Sequence, residues 1–508
     1  MIVGEALSET HRRNDSELEA QRAQRRSIFG QIQNATQKTA SVPNRKADEK
    51  TVEQELENRA NTALEQINIM RTLLATIVKQ VANIPDKRNA KTIKHKLSTL
   101  MLYGILCFVF QMSSRREANR QMTTQQFKET LHECFPEIES MPHNDTLKRV
   151  LDDIDVNKIE ALLVALVKRF IANKKFRKYL INNCYPIAID GTEKYSSYQQ
   201  DNEHQQERKV GSAQQDEEKA TQYYIAVVEA NLTFHNGLCI PLLSEFIDYQ
   251  QGDQAASKQD CELNAAKRLL NKLKKYFPRL PIMIIGDGLY ANGPFLQLCE
   301  QRHFDYMIVL KDASLTTVWD EAERLKPLND ANVLKQTHDG RTQEFWWANA
   351  IDYGFGANER QKLKLNLVVC DELWEAVDKE NNRIIKQSRH AWLSKKTLRK
   401  ANIHIRCNLA GRYRWGIEES NLKEKKQGYQ YEKCFSHNWN SMRGYHALMR
   451  IGHFINEIVH HSKSLIKKVQ KKTIRYFIKY VFETLKNPWL TGKIIREKLK
   501  PRYRYQLA

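Results

Sequence analysis

The chain has 508 residues, a formal net charge of +21 and nine dispersed cysteines without a CxxC pair. That length predicts more than one domain, or one core with large additions, and the positive excess points to polyanionic partners, nucleic acid above all. The cysteine pattern argues against a disulfide framework or a zinc ribbon and for a reducing cytoplasm, and the most apolar stretch, Leu100–Met112, is shorter than the ~20 residues of a membrane span.

Residues 1–85 read as a polar arm. Within it, Leu56, Ala60, Leu64, Ile67 and Leu73 recur at helical spacing and fit a partner helix or a coiled coil. No signal peptide is expected, because the chain turns polar soon after Met1-Ile2-Val3. Residues 86–185 read as a helical N-terminal domain. Asn144 or Asp145 is placed to cap one helix, and Ile159–Phe170 is another. This module would either bind DNA or cap the core.

Strand-like runs follow over 186–310. Pro186–Asp190 comes first, then a polar stretch, Tyr195–Thr221, read as a mobile loop near the site. Tyr223–Ala230 and Leu238–Phe246 are strands, 260–277 an amphipathic helix, Pro281–Asp287 a strand, Phe295–Arg302 a helix and Tyr306–Leu310 a strand. Three strands, a helix, then strand–helix–strand is the order of a ribonuclease-H-like α/β core. Residues 311–402 change character, with added strands at Phe345–Ala350 and Leu363–Cys370. Residues 403–460 return to helix, over 412–427 and Trp439–His460. Here His437, His446, His453, His460 and His461 read as interior histidines rather than a metal site. Residues 461–508 form a basic tail, with fourteen Lys/Arg against Glu483 and Glu497. Its aromatics could stack on bases or form the buried side of a basic helix.

Three carboxylates carry the chemistry. Asp190 and Asp287 each close an apolar run and precede glycine, which sets both at a sheet edge. Glu418 lies on a helix between Arg414 and Lys425, and the i, i+4, i+11 spacing puts all three on one face. Such a set can hold two Mg²⁺ ions, with Mn²⁺ able to substitute, for phosphoryl transfer on nucleic acid; the flanking cations suit phosphates. An ordinary solvated face with an i,i+4 ion pair is the alternative for the helix alone.

Arg414-x3-Glu418-x6-Lys425 resembles most of the Y-x2-R-x3-E-x6-K signature of the insertion-sequence-4 family of DDE transposases. Ala188-Ile189-Asp190-Gly191-Thr192 and Ile285-Gly286-Asp287-Gly288-Leu289-Tyr290 resemble its two aspartate strands, and Asp145-Thr146-Leu147-x-Arg149-Val150-Leu151 resembles an associated N-terminal region. The signature tyrosine falls at Gly411, and the nearest tyrosine is Tyr413. The resemblance implies a ribonuclease-H-like core with a β-rich insertion at 311–402, and a catalytic and metal-holding set of Asp190, Asp287 and Glu418. It implies DNA contacts from Arg414, Lys425 and Tyr413, and a dimer working on paired transposon ends and target DNA. It also implies a cytoplasmic, nucleoid-associated protein without membrane contact, and an aromatic such as Trp346 or Trp347 for a flipped base, the favoured alternative being that one tryptophan packs under the inserted sheet. A nuclease without strand transfer and a catalytically silent DNA-binding relative are the competing readings.

Overall fold

The computed structural model describes residues 49–211, 220–252, 259–329, 331–377, 383–500 and 503–508. The first 48 residues of the expected arm therefore lie outside the described residues, as does part of the Tyr195–Thr221 stretch.

The described chain opens with helix α1, Val52–Val81. Thr51 caps it by accepting from the Gln54 amide, Glu53 and Glu55 sit in the first turn and Lys79 in the last, each complementing the helix dipole. Its apolar stripe, including Leu64, Ile67, Met70, Leu73, Leu74 and Ile77, is buried against the chain's own helices. The coiled-coil expectation thus gives way to intramolecular packing. Helix α2 (Leu97–Val109) is buried almost all round, which explains its unbroken apolar run. After α3 (Arg115–Gln121) and α4 (Gln125–Cys134) comes α5 (Asn144–Asp153), capped by His143, whose ring accepts from the Asp145 amide, rather than by Asn144 or Asp145. Helix α6 runs over Val156–Ala172. Among the described residues, no helix is long and apolar enough to cross a membrane.

A ten-stranded mixed sheet follows. Its first strands are β1 (Tyr185–Ser197), β2 (Gln206–Val210), β3 (Ala220–Thr233) and β4 (Cys239–Ile247). Helix α7 (Glu262–Tyr276) leads to β5 (Ile282–Gly286), and α8 (Gly293–Gln301) to β6 (Asp305–Val309). Strand β3 pairs antiparallel with β1, β2 and β4; β5 lies parallel to β1, and β6 parallel to β5. The polar stretch after Tyr195 is partly strand, with bends and turns over 198–205. Ser196 and Ser197 pair with Tyr224 and Tyr223, and Gln206–Val210 pairs with 220–224. Backbone ladder bonds order this segment despite its lack of apolar side chains.

After helix α9 (Thr316–Leu325), strands β7 (Val333–His338), β8 (Arg341–Phe355), β9 (Gln361–Val377) and β10 (Arg383–Ser394) extend the same sheet through β10 pairing with β6. Helix α10 (Lys400–Asn408) and a turn over Gly411–Arg414 lead to α11 (Trp415–Lys426). Helix α12 (Trp439–His460) is buried along most of its length and packs on α2, α5 and α6, so helices from both ends of the sequence share one core. The basic tail forms α13 (Ile466–Lys471), α14 (Ile474–Lys486) and α15 (Gly492–Lys498). Phe477, Tyr480, Phe482 and Tyr505 are buried there, so packing occupies these rings, while Tyr476 is exposed.

Candidate active site

Strand alternation decides where the aspartates point. Along β1, Ile187 and Ile189 enter the larger core, while Ala188 belongs to a second cluster containing Ile417 of α11. Asp190, two residues beyond Ala188, faces the same way, toward the helix that carries Glu418. On β5, Ile282 and Ile284 enter the larger core, and Met283 and Ile285 enter the second cluster. Ala188 pairs with Ile285 in the parallel register, so Asp190 and Asp287 lie equally far beyond that pair on adjacent strands. Asp287 also caps the short turn after β5, accepting from the Leu289 amide at 2.9 Å.

The electrostatics register this convergence. The Asp190 carboxyl is pushed up to about 8, chiefly by burial and then by the charge of Glu418, with Glu262 and Asp287 adding to the rise and Arg414 opposing it. Arg414 is itself buried and pairs with Glu418 at 2.7 Å, one helical turn away. Lys425, on the same face, lies 3.5 Å from Glu432 and near the Tyr431 ring. Tyr413 is buried, only 4% exposed, and burial raises its hydroxyl pKa. Among the described residues, no group of three or more His, Cys, Asp or Glu is gathered closely enough to hold a metal ion.

Glu262 is a fourth carboxylate at this site, absent from the sequence-based set. It stands in the first turn of α7, where an acidic residue reads as ordinary dipole compensation, so its sequence gave no signal. It accepts a hydrogen bond from the Tyr290 hydroxyl at 2.7 Å and another from the Gly191 backbone. Burial raises its pKa, with Asp287 contributing, against the lowering by these two bonds. A Cβ at position 191 would lie 2.3 Å from the Glu262 carboxylate, which explains the glycine after Asp190. Glu262 thereby ties the segment beyond Asp190 to the turn beyond Asp287. The stem of Lys311 lies over Gly288, placing an exposed cation beside Asp287. Asn421, three residues after Glu418, is buried with both amide atoms lacking a hydrogen-bond partner among the described residues.

The glycine in place of the signature tyrosine has a local cause. A Cβ at Gly411 would meet the Trp392 indole nitrogen at 2.8 Å, so the indole occupies the space a side chain there would need. Trp392 stacks on His390, with the Arg412 guanidinium 5.9 Å from its ring. Arg412 in turn pairs with buried Glu372 on β9.

Trp346 and Trp347, expected as base-stacking aromatics or as packing under the inserted strands, are 5% and 3% exposed and belong to the two cores. His446 and His453 are buried and lie near acids, His446 3.2 Å from Glu229 and His453 2.6 Å from Glu424. His460 is buried against Phe477, and neither of its ring nitrogens has a hydrogen-bond partner among the described residues. His437 is exposed.

Residues 78–167 match the family model described as DDE_Tnp_1-associated, which indicates a DDE-type transposase family. No curated protein matches the chain.

Proposed function

We propose that the protein is a DNA transposase of an insertion sequence, similar to the insertion-sequence-4 type, that cuts at element ends and joins them to target DNA. The observation that carries this reading is that Asp190 and Asp287 end adjacent parallel strands at the same register, with the charges of Glu418 and Arg414 acting on Asp190. The match over 78–167 supports the class. The strand order β4-β3-β1-β5-β6, with β5 and β6 parallel to β1, supports a ribonuclease-H-like core continued by the 311–402 strands.

Asp190, Asp287 and Glu418 would hold Mg²⁺, with Mn²⁺ able to substitute. Hard oxygen donors suit such ions, and a divalent ion would oppose the rise that burial first and then the neighbouring acids give the Asp190 carboxyl. When bound, the ions activate the attacking hydroxyl and stabilise the leaving oxygen. The protein's own groups then have distinct tasks. Arg414 and Lys425 would neutralise phosphates beside the scissile bond. Glu262 holds the two aspartate segments in register through Gly191 and Tyr290. A dimer on paired ends and a nucleoid-associated location complete the reading.

Incubation of purified protein with Mg²⁺ and duplexes carrying the element's own ends, beside Glu418→Ala protein, tests it. Boundary cleavage and joining by the wild type, lost in the variant, is the expected result. Cleavage without joining would favour a nuclease, and cleavage retained by Glu418→Ala would overturn the site.

A further inference from the structure

A groove of about 620 Å³ lies between the helical region before the sheet and the segment that follows the glutamate helix. One wall is α3, presenting Arg115, Arg116 and Asn119; His143, just ahead of α5, stands beside it. Lys433 forms the opposite wall, and Phe435 the floor. Phe435 is anchored in the core by stacking on Tyr445 and meeting Phe108 edge-on, both with ring centres 5.3 Å apart.

The cations of this groove come from positions more than 300 residues apart in sequence, and the fold locks them together: the Lys433 ammonium donates to the Ser113 carbonyl at 2.7 Å. That bond leaves two of its three N–H donors for a ligand. Arg116 is exposed and makes no ion pair among the described residues. Arg115 is half-buried, lies 3.5 Å from the exposed Asp145, the one acid in the lining, and also acts on the Tyr445 hydroxyl. A partly exposed pair of that length contributes little and is readily exchanged for a phosphate.

The groove is also lined by the segment that follows α11 in the chain. With a rise of about 1.5 Å per residue, Lys425 lies roughly 10 Å along α11 from Glu418. The chain then turns at Lys426 and reaches Lys433 within seven residues. Chain continuity thus links the glutamate helix to the groove, with Glu432 pairing with Lys425 and Lys426 on the way. Resting on the transposase reading above, we propose that this groove binds the sugar-phosphate backbone of double-stranded DNA flanking the reacting phosphodiester, with Arg115, Arg116 and Lys433 as the phosphate contacts. The region matched by the family model would then act as the second jaw of a clamp whose first jaw is the glutamate helix.

The test uses the full-length chain without Mg²⁺ and a fluorescent 40-base-pair duplex of arbitrary sequence, followed by anisotropy across a salt series. Arg116→Ser/Lys433→Ser is compared with Lys275→Ser/Arg279→Ser, an equal charge change on and just beyond α7. Circular dichroism melts check that each variant folds. The groove variant should bind at least ~10-fold more weakly at low salt, and its log K against log salt slope should be shallower by about 2, as the loss of two phosphate contacts requires. The control pair should behave as the wild type. Equal weakening by both pairs, or an unchanged slope in the groove variant, overturns the proposal. So does competition by polyglutamate as effective as by DNA at equal charge, because the groove would then be a general anion surface. Boundary cleavage by the wild type in Mg²⁺ is measured in parallel. Cleavage with unaltered binding in the groove variant defeats the groove alone, whereas absence of cleavage defeats the functional reading on which it rests.

Discussion

Two clusters of carboxylates occupy the same face of the sheet, and they are handled in opposite ways. Glu229 on β3 pairs in register with Asp190 on β1, so the two acids are cross-strand neighbours. Glu229 belongs to a network with the buried Glu424, Glu457, Arg450, His446 and His453 and the half-buried Lys423. Burial works against its charge, yet Arg450 and His446 hold its carboxyl well below the usual range. Glu457 is held down in the same way by Lys423 and His453. At Asp190 the balance is reversed, with burial and three neighbouring acids outweighing Arg414. A compensated cluster stabilises the fold; an under-compensated one spends stability and calls for a cation from outside.

The largest expected effect breaks the compensated side. Arg450→Leu leaves Glu229 and Glu424 buried without their guanidinium and should cost ~3–5 kcal/mol, seen as a large drop in the urea midpoint. A loss below ~1 kcal/mol would mean that the two clusters do not differ as described.

Next, Asp190→Asn should stabilise the metal-free protein. The folded carboxyl titrates at about 8 against an ordinary value of 3.8, so between those values the folded state keeps a proton that the unfolded state has lost. Stability therefore falls as pH rises through that window and levels off above it. Removing the charge should gain ~2 kcal/mol near pH 8.5, after allowing for the partial exposure of the site, and almost nothing near pH 4. Urea midpoints at both pH values decide this, and a gain independent of pH would contradict it.

The smallest effect sharpens the picture at Glu262. Glu262→Gln keeps an acceptor for Tyr290 and Gly191 but removes one of the charges that raise Asp190. The Asp190 titration, followed by NMR of the labelled carboxyl, should move down by a fraction of a pH unit. An unmoved or raised midpoint would remove Glu262 from the cluster.

What could be read from the sequence, and what could not, follows the range of the signal. Asp190, Asp287 and Glu418 stand out as candidates because each is marked locally, by an apolar run ending in Asp-Gly or by a helical i, i+4, i+11 spacing. Most core strands and helices were legible from periodicity. Glu262 was not, because its part depends on a contact with Gly191 that no local pattern encodes. Gly411 looked like a defect in a signature, and only the approach of Trp392 from 19 residues upstream accounts for it. The strands within the segment after Tyr195 were hidden because their pairing rests on ladder bonds to β3, not on apolar side chains. That β10 would join β6 was equally hidden, since sheet pairing between distant segments leaves no trace in either segment alone.

The most direct test of the central contrast is a Mg²⁺ titration of thermal stability at pH 8, with proton release recorded, on wild type and Asp190→Ala. The account predicts a rise in Tm for the wild type with release of a proton on binding, and neither response in the variant. The same response in both proteins, or none in the wild type, would contradict a carboxylate cluster built to receive a divalent cation.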